Sequence, residues 1–237
     1  MTQNNERVAL ITGASRGLGL ALARALAERG WALVIDARGQ EALEAARKDL
    51  EAATRVTAIA GDIADAKHRR ALVEAARSLG GLDAVINNAS VLGPAPLPPL
   101  LEYPLDELEE VYRVNVFGPL ALLQAASGVL RPSARIINLT SDAGVEAYEG
   151  WGGYGSSKAA LEHLSAVLAV ENPSLRVYWL DPGDMRTAMQ QEAFPEEDIS
   201  DRPPPEESVP GLLRLLDGDL PSGRYGARDL APVAIDA

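Results

Sequence analysis

The sequence lacks several features that would point to particular classes of protein. It contains no cysteine, which excludes disulfides and thiolate chemistry. Its two histidines, His68 and His163, lie far apart and lack the spacing of metal ligands, so no metal is expected. No apolar run approaches the roughly 20 residues of a membrane helix, and the polar start MTQNNER lacks the apolar core of a signal peptide. The net charge of −12 argues against a nucleic-acid partner. We therefore expect a soluble, cytoplasmic protein.

Short apolar stretches rich in β-branched residues alternate with longer stretches rich in Ala, Leu, Glu and Arg. The apolar stretches predict strands at residues 7–12, 32–36, 55–60, 83–87, 135–140 and 175–180, with a last strand at 222–225. The other stretches predict helices near residues 17–29, 40–53, 65–79, 105–131 and 155–170. Nearly continuous apolarity suits parallel strands covered on both faces. The pattern predicts an α/β fold, a doubly wound Rossmann-type parallel sheet with helices on both faces.

Two proline-rich segments interrupt this alternation. Residues 91–104, VLGPAPLPPLLEYP, cannot form regular helix or a central strand. Residues 188–210 are also acidic, and a loop of this length in a compact domain is often a lid or binding loop, or is disordered. We take residues 188–210 as a candidate substrate lid. No repeat or linker divides the 237 residues, so a single domain is expected.

A glycine-rich turn, TGASRGLG, follows the first predicted strand and precedes an amphipathic helix. Gly13, Gly17 and Gly19 let the backbone turn tightly and approach a ligand where a Cβ would collide. The free N–H groups and the positive end of the helix dipole then face an anion, most naturally a pyrophosphate. Such a turn alone can also be purely structural, but its place after the first strand favours a dinucleotide site.

The second predicted strand ends in VIDAR, which supplies Asp36 and Arg38. A carboxylate at this place can accept hydrogen bonds from the adenosine ribose of NAD, whereas an arginine can pair with the 2′-phosphate of NADP. Arg16, inside the glycine turn, lies on the side where that phosphate would fall. Two arginines against one aspartate favour NADP(H), with NAD(H) possible. A surface ion pair between Asp36 and Arg38 is the structural alternative.

Tyr154 and Lys158 lie four residues apart at the start of the helical stretch YGSSKAALEHL. Residues at this spacing share one helix face, so the ammonium could change the acidity of the phenol. A free tyrosine has a pKa of about 10, too high for ready proton exchange near neutrality, and a nearby cation lowers it. The alternative is that Tyr154 packs in the core and Lys158 is solvated.

The predicted helix at 105–131 contains Gly118-Pro119 in its middle. Pro119 has no N–H, so the carbonyl of Asn115, four residues earlier, loses its helical partner. A freed carbonyl in a buried helix needs another donor, often water. Asn115 is therefore either a site for an ordered water or part of a simple proline kink.

Taken together, the motifs resemble those of the short-chain dehydrogenases/reductases over about residues 7–187. Seven pieces occur in the order found in that family, and Ser141 precedes Tyr154 by thirteen positions, as its pattern expects. The pieces are TGASRGLG (12–19), Asp62-Ile63, NNAS (87–90), Asn115, Ser141, YGSSK (154–158) and PGDMRT (182–187). The resemblance implies the strand order 3-2-1-4-5-6-7.

The resemblance also implies roles in cofactor binding. Asp62 and Ile63 would contact adenine, and Asn88 and Ala89 would line the groove. Thr187, with the backbone around Gly183 and Met185, would hold the nicotinamide carboxamide and the pyrophosphate. The family's acid that selects NAD aligns with Ala37, with Arg38 following, which favours NADP; a one-residue shift would reverse this. The implied cofactor contacts are completed by Ser15 and Leu18 of the glycine turn, by Tyr154 and Lys158, and by Pro182.

The catalytic roles are implied in the same way. NADPH would supply a hydride and Tyr154 a proton to a carbonyl, the reverse holding for an alcohol. Lys158 would tune Tyr154 and hold the nicotinamide ribose, and Ser141 would position the substrate oxygen. Asn115 would hold a water linked to Lys158. The chain is thus expected to be an oxidoreductase acting on CH–OH and C=O groups.

The sequence departs from the family pattern in two places. Ser90 stands where NNAG would have glycine, and the part after Thr187 is unlike the usual ending that helps to build a tetramer. A homodimer through residues 105–131 and 155–170 is therefore more plausible.

The expected substrate pocket is mainly apolar. We expect its walls at residues 91–99, at 142–153 and in the loop after Thr187, and expect an uncharged ketone, aldehyde or alcohol. The aromatic residues of these loops could equally pack the lid. No basic patch suits an acidic carrier protein.

The sequence leaves two alternative functions. A catalytically silent dinucleotide-binding regulator or scaffold could dispense with the catalytic residues, which this chain keeps. An epimerase or dehydratase would need a longer C-terminal domain.

Overall fold

The computed structural model describes residues 6–230 of the chain. Each strand lies within one residue of its prediction, except that β5 begins five residues earlier. The strands are β1 (Val8–Ile11), β2 (Ala32–Ala37), β3 (Val56–Ala60), β4 (Leu82–Asn87), β5 (Leu130–Leu139), β6 (Arg176–Asp181) and β7 (Gly223–Gly226). The predicted last strand at 222–225 is therefore confirmed.

The predicted helices are also present, and the structure adds two more after β6. The α-helices in the described part of the chain are α1 (Gly17–Glu28), α2 (Gln40–Leu50), α3 (Ala66–Ser78), α4 (Leu105–Tyr112), α5 (Gly118–Ala126), α6 (Gly152–Glu171), α7 (Ala188–Ala193) and α8 (Val209–Asp217). The candidate lid at 188–210 is therefore not a plain loop. It begins with α7 and ends in a 3-10 helix, Pro205–Ser208, that leads into α8. None of the helices within residues 6–230 is long and apolar enough to cross a membrane.

All seven strands pair in parallel in the order β3-β2-β1-β4-β5-β6-β7, which confirms the predicted doubly wound sheet. In such a sheet the carboxyl ends of all strands lie at one edge, and ligands bind where the strand order reverses. Here the order reverses between β1 and β4. The loops that carry the predicted motifs therefore meet at this edge.

Two apolar cores cover the two faces of the sheet. Successive strand residues point to opposite faces, so Ala9 and Ile11 pack in one core while Val8 and Leu10 pack in the other. The first core includes residues of α1, α2 and α8, and the second includes residues of α3 and α5. Buried on both faces, the strands form a fixed platform for the loops at their carboxyl ends.

The helix predicted at 105–131 is not continuous α-helix. Residues Arg113–Phe117 form a π-helical turn, and the Gly118 N–H bonds to the carbonyl of Arg113, five residues back. Because Pro119 cannot donate a hydrogen bond, the backbone pairing must change register here. Helical structure ends at Val129, where β5 begins earlier than predicted.

Candidate active site

The glycine turn after β1 is packed too closely for side chains. Gly13 and Gly17 have φ of +68° and +56°, in the region that favours glycine. A Cβ on Gly13 would lie 2.9 Å from Ala89 Cα, and one on Gly19 would lie 2.6 Å from the Gly13 oxygen. The turn therefore leads directly into α1 with its backbone exposed to the space above the sheet.

The NNAS segment after β4 braces this turn. The Asn88 side-chain amide donates to the carbonyls of Thr12 and Gly13 at 2.8 and 3.1 Å. The backbone N–H groups of Asn88 and Ala89 both donate to the Thr12 hydroxyl at 3.0 Å. Asn88 and Ala89 line the cavity as predicted, and they also fix the shape of the glycine turn.

The carboxylate of Asp36 is held by contacts within the protein. Its side chain is 2% exposed; Oδ1 accepts the Gly13 N–H at 2.8 Å, and Oδ2 lies 2.9 Å from His68 Nε2. Both carboxylate oxygens are thus engaged within the protein, and the expected ribose contact is not supported by this geometry. The alternative of a surface ion pair with Arg38 is wrong because Asp36 is buried. Asp36 joins the glycine turn to α3 through His68.

A cavity of about 690 Å³ lies over the carboxyl edge of the sheet, between the glycine turn and the start of α6. Most of the predicted cofactor residues line it: Gly13, Ser15, Arg16, Gly17, Leu18, Asp36, Arg38, Asp62, Ile63, Asn88, Ala89, Tyr154, Lys158, Pro182, Met185 and Thr187. Four predicted residues do not line it. Gly19 packs beneath the turn, Asn115 lies 1% exposed below the surface, and Ser141 and Gly183 line an adjoining cavity.

Two observations indicate that a dinucleotide would fit this cavity. Its glycine turn lines it with Gly13 and Gly17, and the turn can pack this closely against Ala89 only because Gly13 has no Cβ. Arg16 and Arg38 are both exposed at its rim, and neither forms an ion pair with another residue of the described range 6–230. Two free guanidinium groups suit a phosphate.

Tyr154 and Lys158 face each other at the inner end of the cavity. Both lie in the first two turns of α6, which begins with Gly152-Gly153, and they are 9% and 3% exposed. The Lys158 Nζ lies 5.3 Å from the centre of the Tyr154 ring. It also donates to the Leu139 carbonyl, the last of β5, at 2.8 Å. Burial lowers the pKa of Lys158 to about 8. The structure therefore excludes a solvated Lys158.

The pKa of Tyr154 differs from the expectation. Burial raises it, and the carboxylates of Asp181 and Asp142 raise it further, while hydrogen bonding with the Ser141 and Ser90 hydroxyls lowers it. The protein's own groups thus hold the pKa above its ordinary value. Burial is the largest cause, followed by the two carboxylates, and the spacing of Tyr154 and Lys158 in the sequence reveals neither.

Ser141 lines a smaller cavity of about 100 Å³ that adjoins the first and shares Tyr154 with it. The Ser141 hydroxyl donates to Asp142 Oδ1 at 2.8 Å. The Tyr148 hydroxyl donates to Asp142 Oδ2 at 3.1 Å and lies 2.9 Å from Glu146 Oε2. Apolar side chains close the opposite wall, mainly Leu92, Trp151 and Met189. The predicted substrate walls thus meet beside Ser141 and Tyr154.

Asn115 holds a buried hydrogen-bond network below Tyr154. Its side chain accepts from Val91 N–H at 2.9 Å and from the Ser90 hydroxyl at 3.0 Å. Its amide donates to the Val91 carbonyl at 2.9 Å and to the Ser157 hydroxyl at 3.0 Å. Ser157 in turn donates to the Tyr154 carbonyl at 2.6 Å. The π-helical turn places Asn115 here, and the predicted water site at its backbone carbonyl stays a prediction.

Sequence reasoning did not assign a role to His68, Asp142 or Ser157. His68 is one of only two histidines in the chain, and that rarity beside a possible acid is a weak signal. Ser157 lies three residues after Tyr154, a spacing that lets a helical serine bond the backbone. For Asp142, the only signal in the sequence is that it directly follows Ser141.

The comparison with known proteins supports the same family as the sequence motifs. The family model described as short chain dehydrogenase matches residues 7–198. A benzil reductase ((S)-benzoin forming) from Saccharomyces cerevisiae is 34% identical over 196 residues, covering 78% of this chain and 74% of the relative. A rhamnolipids biosynthesis 3-oxoacyl-[acyl-carrier-protein] reductase from Pseudomonas aeruginosa is 32% identical over 240 residues, covering 97% and 88%.

A solved structure is similar over nearly the whole chain. It is a short chain dehydrogenase from Shigella flexneri complexed with NADP, with a TM-score of 0.86 and 28% identity. The match covers 94% of this chain and 98% of that chain.

Proposed function

This chain belongs to the short-chain dehydrogenase/reductase family of oxidoreductases, and on that premise we propose that it is an NADP(H)-dependent carbonyl reductase. The observation that carries the proposal is the pairing of Tyr154 and Lys158 at the inner end of a dinucleotide-sized cavity. Ser141 lies on the other side of Tyr154, in a small pocket that a substrate carbonyl can enter.

The residues of the large cavity would hold the dinucleotide. The backbone of the turn at Gly13 and Gly17 and the start of α1 would receive the pyrophosphate, because free N–H groups and the helix dipole favour an anion there. Asp62 and Ile63 would lie against the adenine, and Thr187 would hold the carboxamide. When bound, NADPH supplies the hydride that a carbonyl carbon accepts.

The proton comes from Tyr154. Its raised pKa keeps the phenol protonated through the neutral range, as a donor to a developing alkoxide requires. Lys158 supports the phenolate that remains, because a buried cation 5.3 Å from the ring centre stabilises negative charge on it. The Ser141 hydroxyl would orient the substrate oxygen. A donor poised in this way suits carbonyl reduction.

Two arginines support NADP(H) over NAD(H). Arg16 and Arg38 are exposed at the cavity rim, whereas Asp36, the residue that would favour NAD, is buried and engaged by Gly13 and His68. A guanidinium pair is complementary to the 2′-phosphate that distinguishes NADPH. The related Shigella flexneri structure is an NADP complex, which supports the same choice.

The small pocket supports an uncharged, compact carbonyl substrate. Leu92, Trp151 and Met189 give it an apolar wall, and Trp151 packs edge-on against Tyr154 with ring centres 5.7 Å apart. Asp142 and Asp181 would repel a carboxylate or phosphate. The yeast relative is named for benzil, a vicinal diketone, so we place vicinal diketones first among the candidates. Helix α7 brings Met189 to the pocket, which supports residues 188–210 as its lid.

We also propose a homodimer through α4, α5 and α6. Apolar side chains stand exposed along this stretch, among them Leu105 of α4 at 78%, Phe117 of the π-helical turn at 54% and Val170 of α6 at 83%. Contiguous exposed apolar side chains often mark an interface. Light scattering on the purified protein should give twice the chain mass of 25.1 kDa, and a monomer would contradict the proposal.

A panel assay tests the function. Purified protein is mixed with NADPH or NADH and with simple ketones, vicinal diketones and a 3-oxoacyl thioester, and the loss of absorbance of the reduced nicotinamide is followed. We expect NADPH oxidation with at least one diketone and slower turnover with NADH. Tight NADPH binding without turnover of any compound, or of the corresponding alcohols with NADP, would instead favour the catalytically silent regulator.

A further inference from the structure

His68 is a buried histidine that belongs to none of the sequence motifs. It lies in the first turn of α3, one of the helices that cover the sheet, and is 7% exposed. The loop between β3 and α3 lines the large cavity with Gly61, Asp62 and Ile63. His68 therefore stands behind the part of the cavity wall that is proposed to receive the adenine.

A chain of hydrogen bonds runs from His68 to the glycine turn. His68 Nε2 lies 2.9 Å from Asp36 Oδ2, and Asp36 Oδ1 accepts the Gly13 N–H at 2.8 Å. The backbone carbonyl of Asp36 also accepts the Ala14 N–H, at 2.9 Å. Because a carboxylate only accepts hydrogen bonds, the imidazole donates from Nε2. Asp36 thus holds two successive N–H groups of the turn, and His68 holds Asp36.

The packing leaves the imidazole ring little freedom to move. A Cβ on Gly61 would lie 2.3 Å from His68 Nδ1, so the ring rests directly against the backbone that follows β3. Gly61 is itself fixed, because its N–H donates to the Ala37 carbonyl at 3.0 Å. The ring is therefore held between this backbone and α3, with Nε2 directed at Asp36.

The orientation of the Asp36 carboxylate depends on this contact. Among residues 6–230, His68 is the one donor to Oδ2, and the Asp36 side chain is 2% exposed. Without His68 the buried Oδ2 would be unpaired, which is costly for a charged oxygen. The carboxylate would then turn toward another donor or toward water, and its hydrogen bond with the Gly13 N–H would be weakened.

The residues that follow this anchor in the turn are those proposed to bind the cofactor. The next four residues, all of which line the cavity, are Ser15, Arg16, Gly17 and Leu18. A pyrophosphate is bound at such a turn by backbone N–H groups that point at it, so binding depends on the shape of the turn. An anchor at the start of the turn therefore acts on binding without touching the ligand.

We propose that His68 is a positioning residue of the cofactor site, which holds Asp36 so that the glycine turn keeps its pyrophosphate-binding shape. This inference rests on the proposed function, because it requires a dinucleotide in the large cavity. Since His68 acts through Asp36 on the turn, it affects the binding of the cofactor and not the transfer of hydride or proton. The pyrophosphate is common to NADPH and NADH, so the binding of both cofactors depends on His68 to the same extent.

The test separates binding from chemistry. His68→Leu removes the donor and keeps a side chain of similar volume. Dissociation constants for NADPH and NADH are measured by calorimetry, and those for ADP, which carries the pyrophosphate, and 2′-AMP, which lacks it, by competition. In His68→Leu we expect NADPH, NADH and ADP to bind about tenfold more weakly, the equivalent of one hydrogen bond, and 2′-AMP to bind as in wild type. Turnover at saturating NADPH should be unchanged.

Two further variants show whether the hydrogen bond is the cause. His68→Gln keeps an N–H donor and should recover most of the lost affinity, whereas a loss equal to that in His68→Leu would contradict the inference. Lys67→Leu, which changes an exposed neighbour on α3, is the matched control and should leave all four constants unchanged.

Equal affinities for ADP in wild type and His68→Leu would overturn the inference, as would a loss for 2′-AMP as large as that for ADP. If His68→Leu fails to fold by thermal melting, His68→Met takes its place in the same titrations. Absence of NADPH binding in wild type would reject the proposed function, whereas normal NADPH binding in His68→Leu would reject only the role of His68.

Discussion

The ammonium nitrogen of Lys158 lies 5.3 Å from the centre of the Tyr154 ring, one helical turn away along α6. Both side chains are buried, and the lysine is fixed by the Leu139 carbonyl at the end of the neighbouring strand. A buried cation so placed must either be tolerated at a cost in stability or serve a function. Its position beside a phenol at the inner end of a large cavity supports the second explanation.

Gly13→Ala should disrupt the dinucleotide cradle. The residue has φ of +68°, and a Cβ would lie 2.9 Å from Ala89 Cα. A left-handed conformation costs a non-glycine residue about 1–2 kcal/mol, and the contact adds to this. We expect a lower Tm and a much weaker affinity for NADPH by calorimetry. Gly128→Ala is the matched control, since no atom lies within 4 Å of its added Cβ. Equal affinities in the two variants would contradict the expectation.

Asp36→Ala should lower stability without changing the preference between cofactors. The carboxylate is buried and accepts from Gly13 N–H and pairs with His68, so its loss leaves buried donors unpaired, at about 1–3 kcal/mol. NADPH and NADH should both bind more weakly and in the same ratio as in wild type. Asp49→Ala, which removes an exposed carboxylate paired with Arg24, is the control. A selective loss of NADH binding would show that Asp36 reads the ribose.

Arg38→Ala should weaken the binding of NADPH and leave the binding of NADH unchanged. Loss of a charged hydrogen bond to the 2′-phosphate corresponds to about 10- to 100-fold in affinity. Dissociation constants for both cofactors, measured by fluorescence titration, check this. Arg70→Ala, an exposed arginine on α3 away from the cavity, should change neither constant. An equal loss for both cofactors would mean that Arg38 supports the cavity without selecting NADPH.

Lys158→Met should alter the pH dependence of stability. Burial lowers the pKa of Lys158 from 10.5 to about 8, so between these values the unfolded lysine holds its proton more tightly than the folded one. Unfolding then takes up protons, and the contribution of Lys158 to stability rises with pH across that window. The free energy of unfolding of Lys158→Met, relative to that of wild type, should therefore fall as the pH is raised above about 8, by up to about 3 kcal/mol. Melting curves across this range measure it, with Lys48→Met as the exposed control. A difference in stability that does not change with pH would mean that folding does not lower the pKa of Lys158.

The fold and the position of the site could be predicted because they depend on local patterns. Apolar β-branched strands and the turn at Gly13 are readable from adjacent residues, and the parallel order brings their carboxyl ends together. The environment of individual groups could not be predicted. Asp36 is engaged by His68, which is 32 positions away on another element. The pKa of Tyr154 depends on Asp181 and on burial, neither of which the YxxxK spacing reveals.

The most direct test of the central claim is Tyr154→Phe, which removes only the hydroxyl that is proposed to carry the proton. We expect turnover with the best carbonyl substrate to fall by at least about 100-fold, the usual contribution of a general acid. The NADPH dissociation constant and Tm should stay nearly unchanged, because the ring still packs against Trp151. A variant that binds NADPH normally and keeps most of its turnover would contradict the account.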